Sequence, residues 1–236
     1  MKEVIQFIDK RLEEQNENPF IQWLQDDSVP PRDRLTKWLL GGGFFISGFR
    51  DLNSMILGYP DEEAEQDEFK RAINAHTLED SRHWGWYLND IKRLGLDDPL
   101  KFTDALKLLW GRKLERQRYA TYRICQLAAM SEDPILRYCL IKSIEAFGHV
   151  IFGRLCDVAK KYEEETGVRL EYLGETHYRK EPGKLTNQPN ESKSENLMMN
   201  VRLDPEKRKL GLQIADETCG LIERRWIEFY DLVTRE

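Results

Sequence analysis

Histidine and acidic residues recur at helical spacing between positions 76 and 90, and side chains of these two types can bind a divalent metal. Residues three, four or seven apart share one face of an α-helix. Neutral imidazole and carboxylate bind iron, manganese or zinc without a thiolate. One face is therefore predicted to offer half of a metal site, and its members are His76, Glu79, Asp80, His83, Tyr87 and Asp90. The alternative is a solvent-exposed face of ion pairs, because Asp and Glu make up 42 of the 236 residues.

Two further pairs of a histidine and an acid lie later in the chain. Glu145 and His149 are four residues apart in a mostly apolar segment. A buried carboxylate needs a partner, so Glu145 either pairs with Lys142 or serves a metal or substrate. His177 and Glu181 are also four residues apart, immediately before a proline. These pairs are the second and third candidate groups.

The elements that position these groups are predicted to be helices, because apolar residues recur at helical spacing and no strand alternation stands out. Glycines between Leu39 and Gly48 predict that a second helix or a bound ligand packs closely against that backbone. The polar stretch within residues 182–203 is predicted to be a mobile loop. The predicted helices cover about residues 1–15, 31–57, 61–95, 103–110, 113–130, 135–165 and 205–233, with a short helical turn at 20–24.

Composition narrows the classes of partner and compartment. The formal net charge of −6 and the absence of basic tracts argue against a nucleic-acid or anionic-membrane surface. The four cysteines are far apart and are typical of reduced, buried thiols. No signal peptide or membrane-spanning apolar run is present in the sequence, so we expect a cytoplasmic protein.

In their order and spacing, the three groups resemble the heme-oxygenase-like diiron oxidase superfamily, whose third element reads His-x3-Asp/Glu-x2-His. The match covers roughly residues 70–185, and the stretch from Glu79 to Gly95 looks like helical members described as iron-containing redox proteins. The resemblance implies an all-α, single-domain helical bundle of the heme-oxygenase-like type, with about seven or eight helices.

The resemblance also implies an iron centre of up to two Fe(II) ions and a non-heme, oxygen-dependent oxidase or oxygenase. Tyr87, four residues after His83, would lie within reach of the oxidant and is the candidate catalytic residue. Lys184 occupies the last family histidine position, and a protonated lysine cannot ligate, which places one iron in doubt. The metal ligands implied are His76, Glu79, His83, Glu145, His149, His177 and Glu181.

The expected partners are a small organic substrate and dioxygen, with neither nucleic acid nor membrane, and a homodimer is left open. Two other functions also remain open. One is a metal-free helical ligand-binding protein with a degenerate site. The other is a thiaminase-like hydrolase with Cys125 or Cys139 as nucleophile, beside Tyr122 or Tyr138.

Overall fold

The computed structural model describes residues 1–99, 101–180 and 193–234, and all regular secondary structure in these ranges is helical. The predicted all-α class is therefore confirmed. The α-helices are α1 (Lys2–Glu13), α2 (Pro19–Leu24), α3 (Pro31–Asp51), α4 (Asp61–Gln66), α5 (Glu68–Asp80), α6 (Trp84–Arg93), α7 (Phe102–Trp110), α8 (Glu115–Met130), α9 (Pro134–Thr166), α10 (Glu175–Lys180), α11 (Lys193–Met199) and α12 (Pro205–Thr234).

Helix α9 forms the centre of the bundle and packs most extensively against α12. Asp133 caps its first turn by accepting a hydrogen bond from the backbone N–H of Ile135, at 2.8 Å. Gly167 ends the helix in a left-handed conformation with φ of 74°. Nearly every residue from Ile135 to Phe147 is buried, as expected for a helix that is apolar around most of its circumference.

The glycines of α3 allow neighbouring helices to approach its backbone. A Cβ added at Gly41 would overlap the ring of Phe229 on α12. A Cβ added at Gly43 would lie 2.7 Å from the hydroxyl of Tyr87 on α6. Close helix packing therefore accounts for these two glycines without a bound ligand.

The continuous helix predicted for residues 61–95 is divided into α4, α5 and α6. Asp67 is extended and its carboxylate caps α5, accepting from the backbone N–H of Phe69 at 2.8 Å. At Arg82 and His83 the backbone hydrogen bonds run to the third preceding residue, as in the bond from His83 N to Asp80 O at 3.2 Å. This tighter turn rotates the following side chains relative to a continuous α-helix. Divisions of this kind give more helical segments than the seven or eight predicted.

The segment predicted to be a mobile loop contains helix α11, and Met198 on this helix is buried in the core. Packing of this apolar residue explains why a polar stretch becomes helical there. Residues 181–192, which include the first part of the predicted loop, lie outside the described ranges. Among the described helices, none combines the length and apolar character needed to span a bilayer.

Candidate metal centre

His76, Asp80 and Glu145 form a compact group where α5 packs against α9. Nε2 of His76 lies 2.9 Å from Oδ2 of Asp80, one helical turn later, and its Nδ1 lies 3.3 Å from Oε1 of Glu145. One ligand atom from each of the three residues lies within 4.8 Å of the others. Asp80 and Glu145 are buried, and His76 is partly buried. The arrangement brings one imidazole and two carboxylates close enough to share a single cation.

Lys142 supplies a positive charge beside this group. Its Nζ lies 3.3 Å from Oε2 of Glu145, three residues later on α9, and both side chains are buried. The ion pair that the sequence suggested for Glu145 is therefore present, alongside the contact with His76. Glu145 therefore contacts both Lys142 on α9 and His76 on α5.

A cavity of about 70 Å³ adjoins the group and is bounded mainly by α3, α9 and α12. Its charged or titratable lining residues are Asp80, His83, Glu145, Tyr172, His177 and Arg225. The remaining wall is largely aromatic and aliphatic, which leaves a mostly apolar space beside two carboxylates and two imidazoles. Such a cavity suits a small organic molecule with one polar end. The main apolar lining residues are Trp38, Phe45, Ile46, Phe49, Ile144, Phe147, Ile151, Phe152, Ile222 and Trp226.

His177 is held in one orientation by the segment before α10. Its Nδ1 lies 3.0 Å from the backbone carbonyl oxygen of Tyr172, and its ring stacks on the Tyr172 ring. Because a carbonyl can only accept, Nδ1 carries the proton and Nε2 is left with the lone pair in the neutral ring. This is the tautomer in which a carbonyl orients a metal-ligating or proton-accepting imidazole. The ring of His83 packs edge-on against the ring of His177, with 4.7 Å between the ring centroids.

Asp90 holds the segment that carries Tyr172. Its carboxylate accepts hydrogen bonds from the backbone N–H groups of Glu171, at 2.7 Å, and of Leu173, at 2.9 Å. Burial raises the pKa of Asp90, and these backbone hydrogen bonds oppose that rise. Asp90 is therefore a structural acid, although the sequence placed it on the candidate metal-binding face.

The structure places three of the predicted residues away from the compact group. Glu79 is exposed, whereas its neighbour Asp80, about 100° away around α5, is buried. His149 is partly buried and stacks against Tyr178, with its Nε2 3.3 Å from the Tyr178 hydroxyl. Tyr87 donates a hydrogen bond to the carbonyl oxygen of Leu39 at 3.0 Å, and burial raises the pKa of its hydroxyl. Tyr87 thus has a packing role in the structure, and its catalytic role stays a prediction.

Of the other predicted ligands, His76 and Glu145 belong to the compact group, and His83 and His177 line the adjoining cavity. Glu181 lies outside the described residues, as does Lys184.

Asp80 and Arg225 belong to the site or its cavity but were not among the implied ligands. Asp80 was on the predicted face, but the resemblance favoured Glu79 as the ligand. Arg225 lies three residues after Ile222 and four before Phe229, within the apolar stripe of α12. A cation at an apolar position of the helix pattern was the signal that could have identified it.

The cysteines do not have the surroundings of a nucleophile. Burial raises the pKa of Cys139 and of Cys219 to about 12 in each case. Burial also raises the pKa of Cys125 and Cys156. A thiolate is the reactive form, so these environments oppose thiol catalysis at neutral pH.

Comparison of the chain with models of known protein families gave no match, and a search of curated proteins found no similar sequence.

Proposed function

We propose that His76, Asp80 and Glu145 bind a divalent metal, and that with iron(II) this centre supports oxygen-dependent oxidation of a small organic molecule. The observation that carries the proposal is the proximity of the three ligand atoms, all within 4.8 Å of one another. The proposal includes a resident metal and an oxidoreductase activity, and both are open to direct measurement.

The donor set fits the chemistry of iron(II). One imidazole and two carboxylates are ligands of the type that iron(II), manganese(II) and zinc(II) accept, and the carboxylates offset the charge of a dication. Three protein ligands leave coordination positions for other molecules. His83 and His177 line the adjoining cavity and are candidates for a second metal position, as in the diiron oxidases that the sequence resembles.

The metal, when bound, would supply the electrons and the coordination positions that dioxygen chemistry requires. The protein's own contribution follows from the cavity wall. Aromatic and aliphatic side chains from α3, α9 and α12 exclude bulk water beside the carboxylates. His177, with its proton fixed on Nδ1 by the Tyr172 carbonyl, presents Nε2 as a proton acceptor or ligand. Lys142 holds Glu145 in position from the side of α9.

An anaerobic titration of metal-free protein with iron(II) tests the proposal, with Asp80→Asn and Glu79→Gln as a matched pair. The two residues are adjacent, and each substitution removes one negative charge with little change in shape. We expect the wild type and Glu79→Gln to bind one or two iron ions, and Asp80→Asn to bind iron at least about tenfold more weakly. Admission of oxygen should then produce faster oxygen uptake with the wild type than with Asp80→Asn. No stoichiometric binding by the wild type, or equal loss in both variants, would contradict the proposal.

A second candidate is a metal-free ligand-binding protein, and one observation favours it. The imidazole of His76 already contacts both carboxylates, and Lys142 already pairs with Glu145. These side chains therefore form a polar network without a metal ion. Failure of iron, manganese and zinc to bind would favour this candidate over the oxidase.

A further inference from the structure

Arg225 is a buried cation in the wall of the cavity. Only 8% of its surface is exposed, and its guanidinium lies over the ring of Phe45, 3.7 Å from the ring centroid. No carboxylate in residues 1–99, 101–180 or 193–234 forms an ion pair with it. Arginine is rarely this buried unless it is paired, because loss of hydration penalises an isolated charge.

The neighbouring residue offers a second unused donor. Nε of Arg225 and Nε1 of Trp226 are both buried, and neither finds a hydrogen-bond acceptor among the described side chains and backbone. Both residues line the same cavity. Two adjacent residues of α12 therefore present N–H groups that lack an acceptor, which is rare in a folded protein.

The charge of Arg225 persists at neutral pH. Burial lowers the pKa of its guanidinium to about 9, which still leaves the protonated form dominant near pH 7. The cation–π contact with Phe45 stabilises this charge but supplies no hydrogen-bond acceptor. A carboxylate supplies two acceptor oxygens in the geometry that a guanidinium matches.

We propose that Arg225, assisted by the indole N–H of Trp226, binds the carboxylate of a small ligand whose apolar part occupies the aromatic wall of this cavity. The cavity volume of about 70 Å³ limits that apolar part. A cavity of roughly 150 Å³ holds benzene, so about half that volume accommodates roughly three carbon atoms. The ligand class is therefore a short-chain carboxylate.

Butyrate is the probe, and butyramide is its uncharged analogue of nearly the same shape. Each probe is titrated into the full chain, and ligand-observed NMR detects its binding. Metal is removed from the protein beforehand, so that the probe cannot bind through a metal. With the wild type, we expect butyrate to bind roughly tenfold or more tightly than butyramide. Failure to bind iron leaves this inference intact, since it does not rest on the metal site.

Arg225→Met and Arg224→Met form the matched pair, because Arg224 is the adjacent, exposed arginine of the same helix. Arg225→Met should lose the preference for butyrate over butyramide, and Arg224→Met should keep it. Arg225→Lys retains the charge without the planar fork, so it should prefer butyrate by a smaller factor, and it substitutes for Arg225→Met if that variant does not fold. The proposal would be overturned if the wild type bound butyrate and butyramide equally, or did not bind butyrate. It would also be overturned if Arg225→Met and Arg224→Met showed the same preference for butyrate over butyramide.

Discussion

Asp80 places a carboxylate oxygen 2.9 Å from Nε2 of His76, whereas the carboxylate of the preceding residue, Glu79, is exposed to solvent. The two acids differ by one position, which is about 100° around an α-helix. Only the acid one full turn from His76 joins the compact group with Glu145. The choice between two adjacent acids thus decides the composition of the candidate site.

Lys142 should oppose metal binding at this group, because its charge lies beside Glu145. We expect Lys142→Met to increase iron(II) affinity roughly tenfold, since removal of a nearby positive charge favours a dication. Glu145→Gln should decrease the affinity by a similar or larger factor, since it removes a ligand. Anaerobic titration of both variants measures the two effects. If the iron(II) affinity changed in the same direction in both variants, the metal would not share Glu145 with Lys142.

Tyr87→Phe should affect stability and leave metal binding unchanged. The Tyr87 hydroxyl donates to the carbonyl of Leu39, and its loss should lower the free energy of unfolding by about 0.5–1.5 kcal/mol. Chemical denaturation measures this change, and an iron(II) titration of the same variant supplies the comparison. Loss of iron binding, or of oxygen uptake at unchanged stability, would support the predicted role of Tyr87 at the metal site.

Two adjacent glycines of α3 should respond to alanine with opposite signs. At Gly41 a Cβ would overlap the Phe229 ring, so Gly41→Ala should lower the free energy of unfolding by about 1–3 kcal/mol. At Gly42 the nearest atom, Cδ1 of Ile46, would lie 3.5 Å from the added Cβ, which is ordinary van der Waals contact. Gly42→Ala should therefore raise the free energy of unfolding by up to about 1 kcal/mol through helix propensity. Thermal or chemical unfolding of the pair tests this, and equal destabilisation would be inconsistent with the packing described.

Asp90→Asn should lower the free energy of unfolding by about 1–3 kcal/mol, because the new amide group points one donor at a backbone N–H donor. The loss should also depend on pH. The pKa of Asp90 is raised in the folded protein, so the folded state retains this proton to higher pH than the unfolded chain. The contribution of Asp90 is then fully present below the unfolded pKa of about 3.9 and decreases as the pH rises through the folded pKa.

The stability difference between wild type and Asp90→Asn should accordingly narrow as the pH is raised from about 4 towards neutrality. Denaturant unfolding at a series of pH values measures this difference. A difference that widens with pH would mean that the backbone hydrogen bonds outweigh burial, and that the pKa of Asp90 is lowered in the folded state.

Local sequence patterns were sufficient to predict most of the helices and several of the titratable residues around the site. Asp133 and Pro134 predicted the start of α9, and Gly167 its end, because capping depends on residues within one turn. The apolar circumference of α9 predicted that Glu145 would be buried. His76, His83 and His177 were identified from their spacing to acids. Each of these features depends on residues a few positions apart.

The tertiary structure decided which of those residues meet. Helix α5 buries the face that carries Ala72, Ile73 and Thr77, and this face includes Asp80 but leaves Glu79 exposed. The hydrogen bond of Tyr87 and the burial of Arg225 likewise depend on the approach of α6 to α3 and of α12 to the cavity. The sequence determined the helices and their apolar faces, since these follow from local periodicity. The shared environment of distant side chains was decided only when the helices packed, because a rotation of a few tens of degrees changes which atoms come into contact.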